Sequence, residues 1–190
     1  MPIDSISHSN ASHRYADKYQ SIAPESSSTP GSWVSDPSGS KSESRYKPLV
    51  NTRSRDLNAE KHLADAALNP RNPKAQLVKL NQPKDLDILN KPTSLNKFIL
   101  TRDGQMIVGN VDKSVPPKWV SHPALAEIGA GPGQSQNVIS AGYIKKDFMG
   151  KTRLSHTSGH YLPQQSDLRP AQQHLKNMGV TSTKGECAIV

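Results

Sequence analysis

Lys97-Phe98-Ile99-Leu100-Thr101-Arg102-Asp103-Gly104-Gln105-Met106-Ile107-Val108-Gly109 is the stretch whose reading decides the fold. Two β-prone runs flank Asp103-Gly104, and the glycine supplies the positive φ that a tight connection needs, so the stretch predicts a β-hairpin. Further along the chain, Val138-Ile139-Ser140-Ala141-Gly142-Tyr143-Ile144-Lys145-Lys146 predicts a third strand and Lys151-Thr152-Arg153-Leu154-Ser155-His156 a fourth, with Asp147 and Gly150 in the turn between them. Past Pro163, residues 166–180 combine a capping Ser166 or Asp167, an early Pro170, a stripe of Leu168, Ala171, Leu175 and Met178, and a stop at Gly179. Those features predict a helix able to cover one sheet face. The expected fold class is α+β: a small antiparallel sheet, the hairpin plus two further strands, covered by a C-terminal helix and spanning residues 95–181.

Toward the N-terminus the signals weaken. Residues 51–94 read as a partly helical connector, with Arg55 to Leu68 rich in helix formers, Asn69-Pro70 ending them, a helical or extended patch over Lys74 to Leu80, and a short turn at Asp85 to Leu89. Residues 1–50 are dominated by Ser, Pro, Asn and small side chains, as in Glu25-Ser26-Ser27-Ser28-Thr29-Pro30-Gly31-Ser32. Such a composition does not bury enough surface to offset its ordering entropy, so a long disordered N-terminal region is expected, with Trp33 and Tyr46 as its candidates for docking. Its composition resembles the leaders of bacterial type III secretion substrates, and an ordinary flexible tail is the alternative.

Of 190 residues, only 33% are hydrophobic and 5% aromatic, so a core has to come from part of the chain. The formal charge of +8 favours acidic partners, nucleic acid or anionic lipid. A diffuse basic excess, few aromatics and no recognition motif point away from nucleic acid. Lys145, Lys146, Lys151, Arg153, Arg169, Lys176 and Lys184 would supply basic surface for a membrane, or simply a solvated face. Met1 to His8 lacks the basic and apolar regions of a secretory signal, and no apolar run approaches the roughly 18 residues of a membrane span. The single cysteine excludes an intramolecular disulfide framework and a Cys-rich zinc site.

That cysteine lies in Cys187-Ala188-Ile189-Val190, the pattern of a C-a-a-X box, within a short flexible tail expected over 182–190. Val190 is not among the usual X residues, and the alternative is a free thiol. If Cys187 is prenylated, the partners are a host prenyltransferase and a host membrane, and the location is peripheral and lipid-anchored. One lipid chain binds a bilayer reversibly, so a second attraction is needed.

The hairpin at Asp103-Gly104, the His122 segment, Ala141-Gly142-Tyr143-Ile144, and Ser158-Gly159-His160-Tyr161-Leu162-Pro163 followed by a helix resemble a module of about 85 residues. It is shared by plant IQ-motif calmodulin-binding proteins and by bacterial toxin- or effector-like proteins. There a His-Ser-Ser-Phe-Leu segment precedes an Ala-Gly-Glu strand and a Ser-Gly-His-Tyr-x-Pro motif. In this chain Ser121-His122-Pro123-Ala124-Leu125 keeps only the histidine, and Ala141-Gly142-Tyr143 has tyrosine where the module has glutamate. No Ile-Gln-x-x-x-Arg-Gly motif occurs, so calmodulin binding does not follow from the resemblance.

His122, His156 and His160, with Tyr161, Ser155 and Ser158, are the cluster of potential proton-transfer groups. His122, His160 and Tyr161 are the catalytic candidates, and Ser158, Gly159, His160 and Tyr161 the candidate binding segment. A structural turn, in which Gly159 bends the chain, Tyr161 packs and Pro163 ends the strand, is the favoured alternative to catalysis. No metal and no cofactor are expected: helical His-x-x-x-His is absent, and Gly129-Ala130-Gly131-Pro132-Gly133 lacks the Lys-Ser/Thr of a phosphate loop. The leading expectation is a bacterial effector delivered into a eukaryotic cell and acting on an unknown host protein through a small binding module. The rivals are a transferase or hydrolase acting on host protein or nucleotide, and a eukaryotic prenylated adaptor without catalysis.

Overall fold

The computed structural model describes residues 45–185, so the expectations for residues 1–44 and for residues 186–190, Cys187 among them, lie outside the described residues, while residues 182–184 of the expected flexible tail form a strand. In chain order the main elements are α1 (Leu57–Ala67), β1 (Ala75–Lys79), β2 (Ser94–Thr101), β3 (Met106–Asp112), α2 (His122–Gly129), β4 (Val138–Lys146), β5 (Thr152–Ser155), α3 (Arg169–Asn177) and β6 (Ser182–Lys184). The six strands form one sheet in the order β1-β3-β2-β4-β5-β6. Every pairing is antiparallel except β5 with β6.

The α+β class is as expected, but the sheet is larger and mixed. The hairpin forms β2 and β3 in the register Leu100↔Met106, with Gly104 at φ +85°. The patch at 74–80 is the edge strand β1, held to β3 by the apolar contacts of Leu77 and Val78. β6 joins through backbone pairing with β5 and a bond from the Gln172 side chain to Ser182 O at 3.4 Å, its three residues Ser182-Thr183-Lys184 having no apolar alternation. Strand β4 has the predicted bounds, and β5 occupies the predicted fourth strand.

Both sheet faces are covered, because a β-strand buries alternate side chains on opposite sides. One face carries Phe98, Leu100, Met106, Val108, Ile144 and Leu154 against Leu168, Ala171 and Leu175 of the α3 region and Leu86, Ile88 and Leu89 of a 3-10 turn. A backbone bond from Gln164 to Asp167 Oδ2 at 2.7 Å starts that helical segment, and Gly179 at φ +81° ends it. The opposite face packs Ile99, Ile107, Val111 and Ala141 under Ala64 and Ala67 of α1 and Ala124, Leu125 and Ala126 of α2. Helix α1, read from sequence as part of a connector, is therefore part of this core. Helix α2 was not expected, although Ser121 capping the Ala124 amide at 3.2 Å and Pro123 in the first turn are ordinary start signals. At the end of the N-terminal stretch expected to be disordered, the Leu49 amide donates to Val138 O at 2.7 Å and its side chain packs on the same core, so order begins before residue 50.

Candidate functional site

The Ser158–Pro163 segment follows β5 and lies against α1, and its side chains diverge. His160 Nε2 stands 2.5 Å from Glu60 Oε1 of α1, while the other carboxylate oxygen accepts from Ser121 Oγ at 2.6 Å. The His160 carbonyl accepts from both the amide and the hydroxyl of Thr52, each at 2.9 Å. Tyr161 turns the other way and donates its hydroxyl to Ser135 O at 2.6 Å, and its amide donates to Ser158 Oγ. Ser158 and Tyr161 are buried, whereas Gly159 and Leu162 are exposed. Leu162, at φ +44°, is the one described non-glycine residue with a left-handed backbone, held between anchored Tyr161 and buried Pro163.

His122, the first residue of α2, is buried with its Nε2 2.9 Å from Gly142 O. A ring nitrogen facing a carbonyl has to donate, so Nε2 carries the proton. Burial, helped by the charge of Lys97, pushes this imidazole down to about 3, which keeps it neutral near pH 7. Its ring meets that of Tyr143 edge-on at 5.8 Å and 88°. Gly142 is required there because a Cβ would lie 1.8 Å from the backbone oxygen of Ser155 on β5. Lys97, paired with Tyr143 across β2 and β4, is buried too. Its ammonium donates to Pro117 O at 2.6 Å and Val120 O at 2.8 Å and stands 5.9 Å over the Tyr143 ring. Burial pulls it down to about 8, against the opposing charge of Glu60.

The fold thus brings His122 and His160 to one largely buried polar cluster with Glu60, Ser121, Lys97 and Tyr143, none of which was among the candidate site residues. Tyr161 leaves that cluster for Ser135, and burial, with Glu127 and Glu60 nearby, pushes its phenol up. His156 is exposed, and Ser155 is buried opposite Tyr143 with no hydrogen-bond partner for its hydroxyl.

The chemistry open to this arrangement is limited. Nucleophilic catalysis needs a hydroxyl whose proton an imidazole can take. Ser121 instead gives its proton to a carboxylate, and its oxygen caps α2. The Tyr143 ring packs edge-on against His122, and burial raises its phenol above the ordinary range.

The glycine loop after α2 also serves the interior. Glu127 accepts the amides of Gly133 at 2.8 Å and Ser135 at 3.0 Å. Burial works upward on that carboxyl, but the bonds from Ser135 and Gly133 outweigh it and hold it below its usual range. Amide donors that would cradle a phosphate are thereby spent on an internal carboxylate. Among the described residues, no three His, Cys, Asp or Glu side chains converge as metal ligands would.

A groove of about 920 Å³ lies elsewhere, lined by Tyr46, Arg102, Asp103, Gln173 and His174 among others. It shares no residue with the polar cluster, in which Glu60 and His160 are partly buried. No family model, no curated protein and no solved structure matches the chain.

Proposed function

We propose that this chain is a non-catalytic binding module, carried into a eukaryotic cell as a bacterial effector and held at a host membrane by a lipid on Cys187. One observation carries the non-catalytic part: each of the three catalytic candidates is bonded within the fold. His122 serves Gly142 O, His160 serves Glu60, and Tyr161 serves Ser135 O. The Ser-Gly-His-Tyr segment is then a latch joining α1 and the Gln134–Gln136 turn to the chain after β5. Support for delivery and lipidation comes from the composition of residues 1–50 and from Cys187-Ala188-Ile189-Val190.

The test is expression in host cells of the parent beside His160→Gln, Tyr161→Phe and Cys187→Ser. Variants of His160 and Tyr161 that melt within a few degrees of the parent are expected to keep its host effect. Loss of the effect in either, with the fold intact, overturns the non-catalytic reading. For the parent, an intact mass raised by one isoprenoid is expected, and an unmodified thiol removes the anchor.

A further inference from the structure

Two loops of this sheet share one geometry but not one chemistry. In the β2–β3 connection, Thr101 N bonds Gln105 O, Gly104 N bonds Thr101 O, and Gly104 has positive φ. In the β4–β5 connection, Asp147 N bonds Lys151 O, Gly150 N bonds Asp147 O, and Gly150 has φ +74°. The first loop places Arg102 and Asp103 at its tip, the second Phe148 and Met149. The turn itself is therefore satisfied by polar residues. Nothing in the backbone asks for an aromatic and a thioether side chain, yet Phe148 is 96% and Met149 64% exposed.

That tip is projected and held. Pairing of β2 with β4 ends at Lys97↔Tyr143, whereas β4 and β5 stay paired as far as Lys146↔Thr152. Asp147 Oδ1 accepts the amides of Met149 and Lys151, each at 2.9 Å, which fixes the loop without involving either apolar side chain. Around its base stand Lys145, Lys146, Lys151 and Arg153, four cations with Asp147 the one carboxylate in the hairpin. Asp147 lies 3.9 Å from Arg153 and Asp87 lies 3.9 Å from Lys146, so two of the four cations are paired and the charge of Lys145 and Lys151 remains in excess.

We infer that the β4–β5 hairpin is a membrane-insertion tip: Phe148 and Met149 enter the headgroup-to-acyl boundary of a bilayer, while the lysines below them contact anionic lipid. An exposed aromatic–thioether pair on a rigid turn gains by leaving water, and a cationic collar selects a negatively charged surface. A second copy of this chain would bring the same four cations against themselves, which disfavours self-association as the occupant. The tip does not depend on Cys187. It would supply the second attraction that a single lipid chain requires, and it stands or falls separately from the non-catalytic reading.

The experiment is cosedimentation of full-length protein, purified from bacteria and so without isoprenoid, with vesicles of phosphatidylcholine alone or containing phosphatidylserine. Parent protein is expected to bind the serine-containing vesicles at least tenfold more strongly than the neutral ones, and to be released by high salt. Phe148→Ser with Met149→Ser is expected to weaken binding at least tenfold at an unchanged melting temperature. Lys145→Glu with Lys151→Glu is expected to abolish the preference for phosphatidylserine. Failure of the parent to bind, binding undiminished by the Phe148 and Met149 changes, or sedimentation showing a dimer that those changes dissolve would each overturn the inference.

Discussion

Acidification should unfold this protein through His122. An unfolded imidazole titrates near 6.5, and burial holds the folded one near 3. Between those values the unfolded chain binds a proton that the folded chain refuses, so stability is whole above pH 6.5 and is lost progressively as pH falls toward 3. Each pH unit inside that window removes about 1.4 kcal/mol, so going from pH 7 to pH 5 removes about 2 kcal/mol through this one ring. Of the neighbours, Lys97 at about 8 is charged in both states below neutrality and adds no slope there. The carboxyls held low by hydrogen bonds, Asp85, Asp103, Asp112 and Glu127, lose their contribution at more acid pH, as protons reach groups that ordinarily titrate at 3.8 to 4.5. Urea unfolding followed by tryptophan fluorescence at pH 7 and pH 5 should compare the parent with His122→Gln, whose amide keeps an N–H donor for Gly142 O. The parent is expected to lose about 2 kcal/mol more than the variant. Equal losses, or an NMR titration placing the His122 ring near 6.5 in the folded protein, would refute the reasoning.

The remaining predictions concern the latch and the strand that supports it. Gly142→Ala sets a methyl against the Ser155 carbonyl at 1.8 Å, so β5 has to move; a loss of about 3 kcal/mol, or a melting point lower by about 10 °C, is expected in calorimetry. An unchanged melt would mean that β4 and β5 do not approach so closely. Tyr161→Phe leaves Ser135 O without its phenolic donor and should cost about 1–2 kcal/mol in urea unfolding. Glu60→Ala strips two donors, His160 and Ser121, of their acceptor, and should cost about 2–3 kcal/mol, more than either partner's removal alone. A neutral Glu60→Ala would show that the cluster does not hold α1 to the fold.

Legibility followed the range of the interactions. The β2–β3 hairpin, β4 with its following turn and the C-terminal helix were readable because turn glycines, alternation and caps act over a few residues. Helix α2 left a readable start in Ser121 and Pro123, but its apolar run, Ala124-Leu125-Ala126, is as compatible with a buried strand. For the site, His122 and His160 were legible as residue types, whereas Glu60 was not: it acts on a histidine 100 positions away. Nor did Tyr143 announce itself. Sequence placed it on a strand, and only packing shows its ring edge-on against His122.

By itself, then, the sequence determined the class of the fold, the central hairpin and the helix that covers one face, since those depend on local periodicity and backbone preference. Only the tertiary structure decided that α1 and β1 join the core, that β6 pairs in parallel, and that His122 and His160 are bonded inward. Those outcomes depend on which distant surfaces bury one another, and burial decides whether an imidazole is a reagent or a strut.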